Sequence, residues 1–431
     1  MVHLSSIAPE RWEPALLALA ALGFDSVDIP LIWAEHALQT AELDFDSPRL
    51  SLKAMASAAR AAKLPVRLRL GPRPVQHLEA RGLPSWIVKD EGCLARNVRR
   101  GAMIEPQGLA IYPHPSLFSQ QYRACVSAWI RGASLAIRQA FRPDELLAVV
   151  VGDGTTPFMR GDWISQDHRA PESERGAPEA KTLGGYLVDL ATTARSVLGS
   201  EYSVELSTTS ESDSSVFAAL GETFSLHYCS PFSSAGARAL WSSVHASTAR
   251  AKLGAHVDVQ CGSPVWGRPL RNRDAVETAR CVLAAGAQSI TVTMACAGAG
   301  WIGGLLDEHG VVRSACKRWH DLFGDVENVL PANRPEIAHP GARLEGLGFA
   351  PLARGWLARY DLLAHPEEAA LASDSLVRST EGYPLLQRAV GSGVLVQNDT
   401  DRVMQVSDSE GHWRAPREPL EPGKFCILQA K

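Results

Sequence analysis

Three carboxyl groups stand where this sequence could do acid–base chemistry. Asp258, in HVDVQCGSP, follows an apolar β-branched run; Asp153, in VVVGDGTTPF, follows another; Glu205 lies inside YSVELS. A carboxylate in apolar surroundings is expensive to bury unpaired, so each is a candidate for moving a proton or attacking a substrate. Each also has a plainer reading. Asp258 could bond to a neighbouring loop, Asp153 could serve turn geometry between two glycines, and Glu205 could face outward against a helix. Trp33, Trp163, Trp266 and Trp301 follow strand-like runs, and their faces suit a ring-shaped ligand; burial as core is the alternative for each. His36 and His77 could donate hydrogen bonds or protons, or be satisfied polar residues. Cys229, Cys261 and Cys296 end three successive strand runs, but their spacing matches no compact zinc motif. No metal or other cofactor is expected, and a nucleophilic Cys261 is a minor alternative.

Short β-branched runs alternate with amphipathic helical runs, the pattern of βαβ units and a parallel sheet. Strands are expected at Val2–Ser5, Ser26–Pro30, Val66–Leu70, Leu146–Val151, Tyr202–Ser207, Thr223–Tyr228, His256–Gln260 and Ser289–Ala295. Helices are expected at Pro9–Leu22, Leu50–Ala62, Gln120–Phe141, Thr182–Leu198, Ser214–Leu220, Ala235–Lys252, Asp274–Ala285 and Ser314–Phe323. Gly71 to Pro115 is a long excursion, and Arg160–Lys181 reads as a surface loop. Eight alternations predict an α/β fold of the (β/α)8 barrel type, with the loops after the strands sharing one face. An open doubly wound sheet is the alternative. The expected domains are a barrel over 1–330, a proline-rich linker over 331–343, and a small antiparallel β-rich domain over 344–431 with strands Gly393–Gln397, Val403–Ser407 and Phe425–Gln429.

Composition narrows the function classes. With 45% hydrophobic and 21% charged residues in 431, a full-sized core is available. A net charge of −4 and a pI near 6.4 give no footprint for nucleic acid or an anionic membrane. No apolar run approaches the roughly 18 residues of a spanning helix, and the opening MVHLSSIAPERW has no secretory pattern. Eight scattered cysteines without a C-x-x-C pair suggest reduced thiols and a cytoplasmic location. The expected partner is a small molecule or an oligosaccharide; oligomeric state is not encoded in any pattern found.

The order of VHLSS, ERW, LGFDSVDIPLIWAEH, LDFDSPRLSL, LPVRLRLGPRP and GLPSW resembles glycoside hydrolase family 35, with family 42 as the nearer relative in places. Later pieces, QQYRACVSAWI, DVQCG and LLDEHGVVR followed by KRWHDLF, are similar too. The resemblance implies a β-galactosidase-like hydrolase using two carboxyl groups. In that family an Asn-Glu pair after the fourth strand supplies the acid/base, and it falls here on Asp153-Gly154; Asp258 stands where the nucleophilic Glu is expected. A one-residue slip in register makes Asp153 the acid, and Glu205 is a substitute source. The family's His-Glu falls on His36-Ala37, its Glu after Gly-Pro falls on His77 with Glu79 two residues on, and its last glycine-rich turn falls on Ala297–Trp301. The implied member is therefore divergent. It either cleaves a β-galactoside or a similar sugar-containing compound, or binds or transforms a sugar-like or polycyclic metabolite without hydrolysis. A structural or partner-binding protein is a third reading.

Overall fold

The computed structural model describes residues 1–37, 42–74, 78–153 without 98, 108 and 109, 167–171, 179–207, 228–230, 256–264, 301–313 without 308, 316–329, and shorter stretches within 275–293 and 378–430. The chain divides into two compact units. The first is Met1–Tyr228 with Cys261–Pro269 and Thr291–Cys316; the second is Cys229–Gln260, Leu270–Ile290 and Lys317–Lys431.

The first unit is built on a parallel sheet of order β1–β2–β5–β6, formed by β1 (Val27–Pro30), β2 (Val66–Gly71), β5 (Leu146–Val151) and β6 (Val204–Leu206). All residues of β1 and β2 are buried, as a strand covered on both faces requires. The strand expected at Val2–Ser5 is not formed. Val2 N–H bonds to Asp28 O at 2.8 Å and the Met1 amine reaches Val292 O, but the chain then turns into a 3-10 helix over Leu4–Ser6. Competition from local bonds explains the turn, since Ser6 N–H and Ser6 Oγ both donate to His3 O, at 3.1 and 2.7 Å.

The helices begin where side chains cap them. Ser51 accepts from Ala54 N–H at the start of α3 (Leu52–Ala61), and Ser119 accepts from Tyr122 N–H at the start of α5 (Gln120–Ala140), satisfying otherwise orphaned donors. Tyr122, Val126, Trp129, Ile130, Ala133 and Ile137 form the buried stripe of α5, the spacing of one helical face. The other helices here are α1 (Trp12–Ala21), α2 (Trp33–His36), α4 (Ser85–Lys89) and α6 (Glu179–Leu198), which packs on α5. The Gly71–Pro115 excursion contains an antiparallel hairpin, β3 (Ile104–Gln107) with β4 (Ala110–Pro113), that the sequence pattern did not reveal. A shorter antiparallel pair, β9 (Ser263–Pro264) with β11 (Trp301–Ile302), belongs to the same unit.

A three-stranded sheet has the order β10–β8–β7, from β10 (Ser289–Thr293), β8 (His256–Gln260) and β7 (Tyr228–Ser230). The expected helices Ser214–Leu220 and Ala235–Lys252, and the linker 331–343, lie outside the described residues. The last helix, α7, runs Lys317–Val329 rather than Ser314–Phe323. Toward the C-terminus, β12 (Arg378–Ser379) pairs with β15 (Val406–Ser407). Strands β13 (Leu386–Val390), β14 (Gly393–Gln397), β17 (Phe425–Ala430) and β16 (Trp413–Arg414) form an antiparallel sheet in that order. Val396, Val406, Leu420 and Leu428 make a small buried core there.

Candidate functional site

The sheet of the first unit carries charge where a barrel interior would ordinarily hold branched apolar side chains. Side chains two apart on a strand share a face, so Arg67 and Arg69 of β2 project together. Asp28, directly opposite Arg67 in the β1–β2 register, accepts from Arg69 Nε at 2.9 Å and lies 3.8 Å from Arg67 Nη1. Thr291 Oγ1 also donates to Asp28, at 3.3 Å. Arg67 Nε reaches Glu205 on β6 at 3.3 Å, and Arg69 Nη1 reaches Asp153 at 3.8 Å. The result is a buried chain of alternating charge, Glu205–Arg67–Asp28–Arg69–Asp153. Burial makes each partner necessary, because removing one leaves an uncompensated charge.

Asp153 is the end of this chain that reaches the C-terminal edge of the sheet. It follows Gly152, whose φ of +98° turns the backbone out of β5. A side chain at 152 would meet Leu187 Cδ2 at 2.5 Å and Ser207 O at 2.9 Å, so glycine is required. One carboxyl oxygen of Asp153, Oδ1, accepts from Ser207 Oγ and faces Arg69. The other, Oδ2, is buried and has no hydrogen-bond partner among the described residues. A buried polar atom left unpaired is costly, so this oxygen calls for a donor from outside the described residues.

A second layer fixes the loops beside Asp153. Gly152 N–H bonds to Gly71 O and Arg73 N–H bonds to Asp153 O at 3.1 Å. Gly71, at φ +75°, lets the chain fold back so tightly that a side chain there would strike Arg73 N at 2.4 Å. Arg73 Nη2 lies 3.0 Å from His114 Nε2, while His114 Nδ1 lies 2.7 Å from Pro115 O. A carbonyl can only accept, so Nδ1 carries the proton and Nε2 accepts from the guanidinium. Glu35, in α2 just beyond β1, is partly buried and bonded to Ser5, and burial raises its pKa above the usual carboxylate value.

The sequence-derived candidates separate in this geometry. Asp153 and Glu205 share the charge chain, but no hydrogen bond or ion pair joins them directly. Glu205 is level with Val150 in the β5–β6 register, three residues before Asp153 in sequence. Asp258 lies on β8 in the second unit and is 2% exposed. Trp33 is placed in a buried aromatic cluster rather than on an open rim: its ring stacks on Trp129 at 5.9 Å and meets Trp86 edge-on at 5.8 Å. His36 packs between Phe45 and Trp129 in the same cluster, with Nδ1 2.6 Å from Asp44 O. Burial lowers the His36 pKa, which removes it from proton donation near neutrality. The backbone of Trp301 pairs with Pro264; His77, Trp163, Trp266 and Cys296 lie outside the described residues. Cys261 is buried, with its thiol against Gly303 O at 3.8 Å and pushed up to about 12 by burial. That corrects the nucleophile alternative, since a thiol held protonated attacks poorly. Among the described residues no three His, Cys, Asp or Glu side chains gather as a metal site, and no helix is long and apolar enough to cross a membrane.

Arg69, Arg73, His114, Ser207 and Asp28 were not singled out from sequence. The RLRLGPR run carried the signal for the arginines: charges at period two in a strand otherwise buried on both faces demand interior partners.

Residues 1–101 match the model of glycosyl hydrolases family 35. Beta-galactosidase-1-like protein 3 of Rattus norvegicus is 30% identical over 122 residues, 28% of this chain and 19% of that protein. Beta-galactosidase-1-like protein 2 of Homo sapiens is 31% identical over 100 residues, 23% of this chain and 16% of that protein. The match thus spans under a fifth of these relatives' length. Among solved structures, the beta-galactosidase from the psychrophilic Marinomonas ef1 superposes with a TM-score of 0.53 at 11% identity, covering 75% of this chain and 58% of that one. GH5_18 from Streptomyces cattleya in complex with GlcNAc superposes with a TM-score of 0.51 at 17% identity, covering 76% and 78%. At these identities the likeness is one of fold, that of the barrel glycoside hydrolases.

Proposed function

We propose, from residues 1–101 being similar to glycosyl hydrolases family 35, that this protein is a divergent carbohydrate-active barrel that cleaves a β-galactoside or a similar sugar-containing compound with two carboxyl groups. The observation that carries the reading is Asp153. Its Oδ1 is held by Ser207 and Arg69, and its buried Oδ2 has no partner among the described residues. An oxygen fixed in this way exchanges a proton with the glycosidic oxygen or with the attacking water, whichever direction the reaction takes. Asp258 stands, by the resemblance, at the family's nucleophile position and is tested separately.

In glycoside hydrolases a carboxyl pair roughly 5–5.5 Å apart gives retention, and one roughly 6.5–9.5 Å apart admits a water and gives inversion. The test is a panel of nitrophenyl glycosides with wild type, Asp153→Asn and Asp258→Asn, with the anomer of the product followed by NMR. Turnover in wild type that falls at least a hundredfold in both variants supports the reading. Turnover untouched by Asp153→Asn overturns it.

The Asp153 Oδ2, unpaired among the described residues, favours one second reading, because it would equally accept a hydroxyl from a ligand that is never cleaved. Saturable binding of a sugar or a ring-shaped metabolite, weakened by Asp153→Asn and without any turnover, would select that alternative.

A further inference from the structure

We propose that Asp167 is a positioning residue of the candidate site, clasping the loop that leaves Asp153 onto the strip that carries His114. The role rests on the reading of Asp153 as the group that meets the ligand. Asp167 falls within Arg160–Lys181, a stretch whose composition reads as a surface loop, yet it is 2% exposed. A carboxylate so far from water is expensive unless donors surround it. Among the described residues three do. Ser116 Oγ donates to Oδ2, while Oδ1 accepts from Arg169 N–H at 3.1 Å and from Arg96 N–H at 3.5 Å. The Ser116 hydroxyl also accepts from Phe118 N–H at 3.2 Å, which leaves its proton for Asp167. Further bonds seat the residues that follow. His168 N–H donates to Arg96 O at 2.7 Å, and Arg169 Nη1 and Nη2 donate to Gly92 O and Glu91 O, each at 2.9 Å.

The clasp matters because of what Ser116 is joined to. It lies two residues past His114, whose Nδ1 bonds to Pro115 O at 2.7 Å and whose Nε2 lies 3.0 Å from Arg73 Nη2. Arg73 N–H in turn donates to Asp153 O at 3.1 Å. The chain that leaves β5 at Asp153 is thus tied back to it, covalently as far as Asp167 and by hydrogen bonds around the strip from there. With Asp167 removed, Ser116 loses its anchor and the His114 ring is freed to shift against Arg73. A misplacement of about 1 Å at a reacting group can cost about a hundredfold in rate. Asp167 itself touches no reacting atom; it acts through Ser116, His114 and Arg73.

The test compares wild type with Asp167→Ala, Asp167→Asn and Ser116→Ala, each as the full chain and below its measured Tm. The first readout is the nitrogen NMR spectrum of protein carrying isotope-labelled histidine, with the His114 signals identified by their loss in His114→Gln. Wild type should show a ring protonated at Nδ1 alone. Asp167→Ala should move these signals, and Asp167→Asn, which keeps an acceptor for Arg169 and Arg96, should restore most of them. The second readout is nitrophenyl glycoside turnover, or saturable sugar binding where nothing is cleaved. kcat/KM or affinity should fall about tenfold or more in Asp167→Ala, by a smaller factor in Ser116→Ala, and least in Asp167→Asn. Partial unfolding alone would lower kcat and leave KM and the folded His114 signals in place. His114 signals that do not move, or activity that Asp167→Ala leaves unchanged, overturn the positioning role alone. A wild type that neither cleaves nor binds any glycoside overturns the Asp153 reading, and this role with it.

Discussion

Neutralising Asp28 gives the most direct test of the buried charge chain. Asp28→Asn keeps the side-chain shape and removes the anion shared by Arg67 and Arg69, at 3.8 and 2.9 Å. Breaking a buried pair typically costs about 3–5 kcal/mol. Arg67 would retain Glu205 at 3.3 Å and Arg69 would retain Asp153 at 3.8 Å, which puts the loss at the lower end, about 3 kcal/mol. With an unfolding entropy of about 2.1 cal/mol/K per residue over a cooperative unit of roughly 250 residues, that lowers Tm by about 6 °C. Differential scanning calorimetry at neutral pH measures it. A companion Arg69→Met variant and the double variant complete a cycle, and partners in one network should couple by about 1–3 kcal/mol. A drop below 1 °C, or single effects that simply add, would refute the reasoning. Either would mean that the contacts at Asp28 are geometric and carry no energy.

Other perturbations test the elements around this chain. Trp129 is fully buried, stacks on Trp33 and donates from Nε1 to Leu70 O at 2.8 Å; Trp129→Ala should lose about 3–5 kcal/mol in urea unfolding. Gly152→Ala forces a side chain into φ +98° and against Ser207 O at 2.9 Å. It should cost about 1–3 kcal/mol and, by moving Asp153, weaken any ligand in a binding assay more than it lowers Tm. His36 has a pKa lowered by burial from the ordinary 6.5, so below that value the unfolded chain takes up the proton first. Stability should be full above pH 6.5 and fall as pH drops toward the lowered folded value; His36→Asn should flatten this slope in melts from pH 7.5 to 5.

Much of the first unit was legible because one pattern dominates each element. Leu146–Val151 is an unbroken apolar run and folds as that strand, and the stripe of α5 falls where helical spacing put it. Strand β8 also has its expected bounds, His256–Gln260. The strand expected at Val2–Ser5 does not form: Ser5 and Ser6 look neutral in a periodicity, yet Ser6 spends its N–H and hydroxyl on His3 O instead of on a neighbouring strand. The β3–β4 hairpin escaped because Ile-Glu-Pro-Gln and Ala-Ile-Tyr-Pro each contain a proline, which argues against a central strand and is tolerated at an edge. Trp33 misled for another reason: a tryptophan after a strand has the same sequence signature whether it lines an opening or fills the space beneath it. Here the stack with Trp129 decides.

The charge chain also changes how the candidate acid should be understood. Family resemblance sets Asp153 at the Asn of the family's Asn-Glu pair, with Gly154 at the Glu, and a one-residue slip in register makes Asp153 the acid. The structure gives it a separate connection, through Arg69 to Asp28 and through Asp28 to Arg67 and Glu205. The position of Asp153 is then tied to groups deep in the sheet, since any change at Asp28 alters how Arg69 is held against Asp153. This follows from low interior screening, where charges a few ångströms apart interact far more strongly than in water. If Asp153 does chemistry, Asp28→Asn should lower turnover or ligand affinity at the site, because Arg69 loses the anion that orients it. A loss of the same size in Thr291→Val, which removes only the hydroxyl donor to Asp28 at 3.3 Å, would instead trace the effect to packing and not to charge.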